Sequence, residues 1–179
     1  MFGAEHILPA NRSEAERASS HPVVAAFMLH EESENFQREE VRQTVIPTYM
    51  GLVKQIDDKV GAIISALKES GKYDSTIIIF CSDHGDYLGD HGLSGKGSYY
   101  EGACHVPMLV RHPGLQGATV CDDLVTLTDV TATMVGLSGR PIPSYMDARP
   151  LTGLGLNDEK REYIFGALRS GWMLYDGEW

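Results

Sequence analysis

The residues Thr76-Ile-Ile-Ile-Phe-Cys81 form an unbroken apolar, largely β-branched run, with an amphipathic stretch from about Glu39 to Ser70 upstream and a burst of ligand-type side chains downstream. A continuous apolar run, unlike an alternating one, suits a strand buried on both faces of a parallel sheet. Upstream, Leu52 or Val53, Ile56, Val60, Ile63 or Ile64 and Leu67 recur at three- and four-residue steps, which predicts a helix over about 39–70 with one apolar stripe. Gly71 stands where a left-handed C-cap belongs, and Lys68 and Lys72 suit the negative end of the helix dipole. Burying five such side chains would stabilise by roughly 8–15 kcal/mol before chain entropy is subtracted. Helix, glycine turn and strand make one αβ unit. The expected fold is therefore α/β, with the long helix as the cover of the sheet.

The remaining chain is less regular. Residues 1–35 read as loop with one short helix around His21–His30. Val106–Arg111 reads as a second short strand, followed by a His112-Pro113-Gly114 turn. Thr128-Asp129 predicts a helix start running to about Leu137, with Leu127, Val130, Met134 and Val135 facing inward. Tyr163–Gly166 and Trp172–Tyr175 read as strands, with a hairpin turn at Asp176-Gly177 whose return strand would begin at Trp179. Domain boundaries are expected at 1–150 for the α/β portion and 151–179 for the start of a small antiparallel subdomain.

With 42% hydrophobic and 22% charged residues among 179, the composition is that of a globular chain. The net charge of −10 argues against nucleic acid or an anionic membrane as a partner held by bulk charge. An anionic small molecule is still allowed, because a metal and one lysine can reverse the field locally. Three cysteines without paired spacing, Cys81, Cys104 and Cys121, fit a reducing compartment, and Met1–His6 has no basic and apolar leader pattern, so a cytoplasmic location is expected.

Chemistry concentrates directly after the strand, in Asp83, His84, Gly85, Asp86, Asp90, His91 and Lys96. In open α/β sheets, sites collect at the carboxyl ends of strands. Asp83 and His84 offer a carboxylate oxygen and an imidazole nitrogen, a set suited to Ca²⁺, Mn²⁺ or Zn²⁺; a capping aspartate beside a hydrogen-bonded histidine explains the same pair. Lys96 lies between Gly95 and Gly97, where an anion could approach closely, although a solvated surface lysine has the same signature. His91 and Asp90 suit either partners that orient those ligands or a plain surface turn. Three motifs nearly match and fail. A phosphate-cradling loop fails because Asp90 and Gly97 occupy two of its required positions. A zinc-protease helix fails because Glu34 stands where its second histidine belongs, and a calcium-loop motif fails at Gly85. Cys104-His105, as neighbours on a strand, would point to opposite faces and make a poor nucleophile–base pair.

Taken together, Asp74–Leu93 with Gly95-Lys96 and Val106-Pro107 resembles the sulfatase family of the alkaline phosphatase superfamily, a pattern shared with related phosphate and phosphonate esterases. Tyr49–Gly61 resembles the helix that precedes this motif, and Asp129, Thr133, Pro143–Asp147 and Pro150-Leu151 resemble a later helix and its loop. The resemblance covers about residues 20–179 and implies an α/β fold that is part of a large mixed sheet flanked by helices. It implies that Asp83 and His84 ligate a divalent metal, most naturally Ca²⁺ with Mn²⁺ or Mg²⁺ as alternatives, and that Lys96, 13 positions after Asp83, contacts the oxygens of a sulfate or phosphate ester. It further implies hydrolysis of sulfate esters, with phosphate or phosphonate esters as the alternative substrates and a non-catalytic anion- or partner-binding module as the rival function. The family's nucleophile arises from a Cys/Ser-x-Pro-x-Arg motif, and none of Cys81, Cys104 or Cys121 begins one. The aspartate pair that completes the family's metal shell is also absent. The chain is therefore expected to be the C-terminal portion of such an enzyme, inactive alone and prone to self-association through exposed strand edges.

Overall fold

The computed structural model describes residues 2–157, 159–168 and 171–178. The chain forms a mixed α/β structure that divides into two compact units, residues 1–75 with 81–107, and residues 76–80 with 108–179.

Four helices open the first unit: α1 (Glu14–Ser19), α2 (Pro22–Met28), α3 (Glu31–Phe36) and α4 (Glu39–Glu69). Only α2 and α4 are expected from the sequence. Ser13 caps α1 by accepting from the Glu16 amide, and α2 begins with Pro22 in its first turn, behind a His21 ring that accepts from Val23 N. The acidic run Glu31–Glu34 forms the start of α3, where its charges meet the positive end of the helix dipole. Helix α4 stops as the sequence predicts. Gly71 takes φ +67°, its amide donates to Lys68 O (3.0 Å), and Lys72 N donates to Leu67 O (2.9 Å). Those two bonds are a Schellman motif.

The expected stripe on α4 is not a buried face. Leu52, Val53, Ile56 and Ile63 are all exposed, while Val60, Ile64 and Leu67 are half-buried. The core of this unit lies elsewhere, around Met28, Tyr87, Leu93 and Ala103, with Val24, Phe27 and Tyr100 packed against it. Periodicity identified the helix correctly but not what it covers.

In the second unit, β1 (Ile78–Cys81, whose last residue clusters with the first unit) pairs with β2 (Met108–Arg111) in a two-stranded sheet. Ile78, Ile79 and Phe80 are half-buried and Cys81 is exposed. Burial on both faces, expected for this run, is absent because the described residues supply one neighbouring strand and no layer on each side. Helix α6 (Leu127–Leu137) follows the four-residue α5 (Glu101–Cys104) of the first unit in chain order. Its N-cap is Thr126, not Thr128, and its inward residues are Asp129, Ala132 and Thr133, whereas Met134 and Leu127 are exposed. Val130 and Val135 of the expected inward set are half-buried, and a polar anchor takes the buried centre of the face. Asp129 accepts from Thr126 N (2.8 Å), Arg149 N (2.9 Å) and both terminal nitrogens of Arg161, and Thr133 Oγ1 accepts from Leu151 N (2.8 Å). Finally β3 (Ile164–Leu168) and β4 (Gly171–Tyr175) form an antiparallel hairpin in the register Ile164↔Tyr175 to Leu168↔Gly171. Its connection at 169–170 and the anticipated return strand at Trp179 lie outside the described residues.

Candidate active site

The segment from Asp83 to Cys104 is tied to the first unit by backbone bonds and a few long side chains. Gly85 N donates to Ala103 O (2.9 Å), which docks the start of the loop on α5. A side chain at Gly85 would stand 2.0 Å from the Gly102 carbonyl oxygen, so only glycine permits this approach. Arg42, 3% exposed, donates to Leu88 O (3.3 Å), Leu8 O (3.0 Å) and Glu39 Oε2 (3.0 Å). Gln37 donates to Gly92 O (2.9 Å), and Ser33 Oγ accepts from Ser94 N (3.1 Å).

At the head of this loop Asp83 and His84 stand together. Asp83 Oδ1 accepts from the His84 amide (3.0 Å), and Asp83 Oδ2 lies 3.4 Å from His84 Nε2. The His84 amide bond is the main reason the Asp83 carboxyl is held below its ordinary value; the positive charge of Lys96 adds to the same effect. His84 Nδ1 is 2.8 Å from Gly85 O. A carbonyl can only accept, so Nδ1 carries the proton, and in the neutral ring Nε2 presents its lone pair beside the carboxylate. Backbone anchoring of the far nitrogen is how metal-ligating histidines are oriented. Two acceptors facing each other at 3.4 Å leave room for a cation between them. The spacing matches that of adjacent oxygen and nitrogen ligands on one cation with bonds of about 2.3–2.6 Å. The donor set fits a divalent metal in kind but not in number: among the described residues no group of three or more His, Cys, Asp or Glu converges on one point.

Lys96 is exposed. Its flanking glycines serve different ends. Gly95 adopts φ +72° with open space around it, whereas a side chain at Gly97 would meet the Phe27 ring at 2.9 Å. Asp90 and His91 turn away from the pair. Asp90 Oδ1 accepts from Asn11 N (2.9 Å), and His91 Nδ1 lies 2.6 Å from Glu16 Oε1 while its ring stacks on Tyr100 at 4.1 Å. They hold the N-terminal segment against the loop. Sequence reasoning missed this clasp, and Arg42 with it, because their partners lie far away along the chain; it singled out Asp86 without its partners Leu88 and Gly95.

Comparison with known proteins decides the family. The sulfatase family model matches residues 17–140. The chain belongs to the sulfatase family. Among curated members, an arylsulfatase of Clostridium perfringens is 37% identical over 124 residues, covering 66% of this chain and 26% of the relative. A multifunctional alkaline phosphatase superfamily protein, PehA of Trinickia caryophylli, is 31% identical over 167 residues, covering 84% and 32%. Among solved structures, a phosphonate monoester hydrolase from Silicibacter pomeroyi superposes with a TM-score of 0.83 at 28% identity, covering 92% of this chain and 35% of that one. The fold is that of the alkaline phosphatase superfamily. The chain thus spans about a quarter to a third of the length of these relatives.

Proposed function

We propose that this chain carries part of the active site of a metal-dependent sulfate-ester hydrolase, with Asp83 and His84 as metal ligands and Lys96 as the contact to the ester's oxygens. The observation that carries the reading is the His84 ring, anchored through Nδ1 to Gly85 O and turned with Nε2 toward Asp83 Oδ2 at 3.4 Å. A divalent cation held there, Ca²⁺ by preference with Mn²⁺ or Mg²⁺ as alternatives, would supply Lewis acidity toward the ester. Asp83, kept ionised by the His84 amide, provides the charge that attracts the cation. His84 directs a neutral nitrogen at the same point. The Lys96 ammonium offsets charge that gathers on the non-bridging oxygens during transfer, a contact of a kind worth on the order of 3–4 kcal/mol in the transition state. Phosphonate or phosphate esters are the second reading, supported by the likeness to the Silicibacter hydrolase.

Two ligand side chains and no Cys/Ser-x-Pro-x-Arg at any cysteine lead to the further proposal that these 179 residues do not turn over substrate by themselves. The purified chain, assayed with p-nitrophenyl sulfate and p-nitrophenyl phenylphosphonate in Ca²⁺ or Mn²⁺, is expected to show no hydrolysis, and its Ca²⁺ isotherm is expected to be weaker than micromolar. Hydrolysis abolished by Asp83→Ala would overturn the inactivity and leave the ligand assignment standing; hydrolysis indifferent to Asp83→Ala and Lys96→Met would overturn the site. Among the described residues no helix is long and apolar enough to cross a membrane. The three cysteines are unpaired and exposed.

A further inference from the structure

We propose that Asp86 is the positioning residue that sets Lys96 beside the Asp83–His84 pair, an inference that rests on the anion-contacting role assigned above to Lys96. One oxygen of Asp86, Oδ1, accepts from Leu88 N (2.9 Å) and from Gly95 N (3.0 Å). Tyr87 N donates to Gly95 O (3.1 Å), and Gly89 N to Leu93 O (2.9 Å). Residues 86–95 therefore form a closed loop whose neck is the Asp86 carboxylate and the Tyr87–Gly95 bond. Lys96 leaves that neck immediately. On its other side Gly97 abuts the Phe27 ring. The Lys96 backbone is thus pinned at both neighbours although the residue is exposed. The entry side of the neck is fixed too, because Gly85 is docked on Ala103 O directly after His84. Eleven residues of chain separate His84 from Lys96, and the Asp86 carboxylate, together with the Tyr87–Gly95 bond, fixes the register of the lysine against the ligand pair.

The test uses the intact chain and inorganic phosphate as probe, followed through the amide signals of Gly95, Lys96 and Gly97 in heteronuclear NMR spectra. In the wild type these signals shift with a dissociation constant in the millimolar range. Asp86→Ala is expected to weaken phosphate by about fivefold or more, the scale of one lost ordering hydrogen bond. Asp86→Asn keeps an accepting Oδ1 and is expected to stay within about twofold of wild type. Simple electrostatics predicts the opposite sign, since removing a carboxylate near an anion site tightens the anion in both variants; that result would overturn the proposal. Where the alanine variant does not fold, Asp86→Glu serves, because it keeps the charge and displaces the oxygen by one methylene; unchanged phosphate affinity there also overturns it. Lys96→Met separates the two claims. Loss of the phosphate response in Lys96→Met with a wild-type response in Asp86→Ala defeats the role of Asp86 alone, whereas an undiminished response in Lys96→Met defeats the reading of Lys96 and Asp86 with it.

Discussion

Replacing Asp129 tests the polar anchor of the second unit with a magnitude that can be worked out beforehand. The carboxylate is 1% exposed and accepts from Thr126 N (2.8 Å), Arg149 N (2.9 Å) and both terminal nitrogens of Arg161, whose side chain is itself only 14% exposed. Asp129→Ala strands a largely buried guanidinium and two backbone amides. Breaking a buried pair from one side costs about 3–5 kcal/mol, because the surviving charge keeps its desolvation penalty without its partner. Asp129→Asn keeps two acceptor sites but loses the charge, and about 2–3 kcal/mol is expected. Burial pushes the Asp129 carboxyl up, yet the Arg161 hydrogen bonds and the two amides outweigh it, so its folded value lies below the ordinary one. A carboxyl depressed on folding contributes stability that is complete above the unfolded value of about 3.9 and is lost as pH falls through the lower folded value. The difference between wild type and Asp129→Asn should therefore shrink below about pH 4. Urea titration with hydrogen exchange at α6 amides as readout measures both effects. A cost below about 1 kcal/mol for alanine, or a wild-type-minus-asparagine difference that is flat through the acid range, would refute the reasoning.

Other substitutions probe the loop that carries the site. Gly85→Ala drives a methyl into the Gly102 carbonyl and is expected to cost about 1–3 kcal/mol and to broaden the His84 signals; an unchanged thermal midpoint would speak against the close docking on α5. Tyr87→Phe removes a buried hydroxyl that makes no well-formed hydrogen bond among the described residues, although Ser98 and the Tyr100 backbone lie near it, so stability should hold within about 1 kcal/mol. A clear loss would show that the hydroxyl is satisfied. Glu16→Gln weakens the bond to His91 and should speed amide exchange in residues 11–20 while leaving α4 unchanged. Sedimentation at rising concentration should reveal self-association through exposed strand edges; a monomer throughout would rule against it.

Much of the local structure was legible because it depends on neighbours in sequence. Gly71 ended α4 through bonds that reach no further than five residues, and the apolar run before Asp83 did form a strand. The helix starting near Thr126 was recognisable from the acidic residue in its first turn, although that residue turned out to anchor Arg161, 32 positions away, instead of merely capping. Burial was read less well. Leu52, Val53, Ile56 and Ile63 have the spacing of a core face and are exposed, because periodicity reports which side of a helix is apolar and not whether anything lies against it. Helices α1 and α3 are six residues each, too short for a periodic signal. In the site, adjacency made the Asp83–His84 pair visible. Arg42 with Leu8 and Leu88, Glu16 with His91, and Asp86 with Gly95 are joined only by tertiary folding. The Asp86–Leu88 bond alone had a local signature, an aspartate accepting from the amide two residues on.

The central claim, that Asp83 and His84 hold a cation within reach of Lys96, is tested most directly by titrating Mn²⁺ into the isotopically labelled chain and mapping paramagnetic broadening. The account predicts that signals of Asp83, His84 and Gly85 vanish first, that Lys96 follows, and that Asp83→Asn with His84→Ala restores them. Broadening that starts at the acidic residues of α3 or at Asp57 and Asp58, with Asp83 and His84 unaffected, would contradict it.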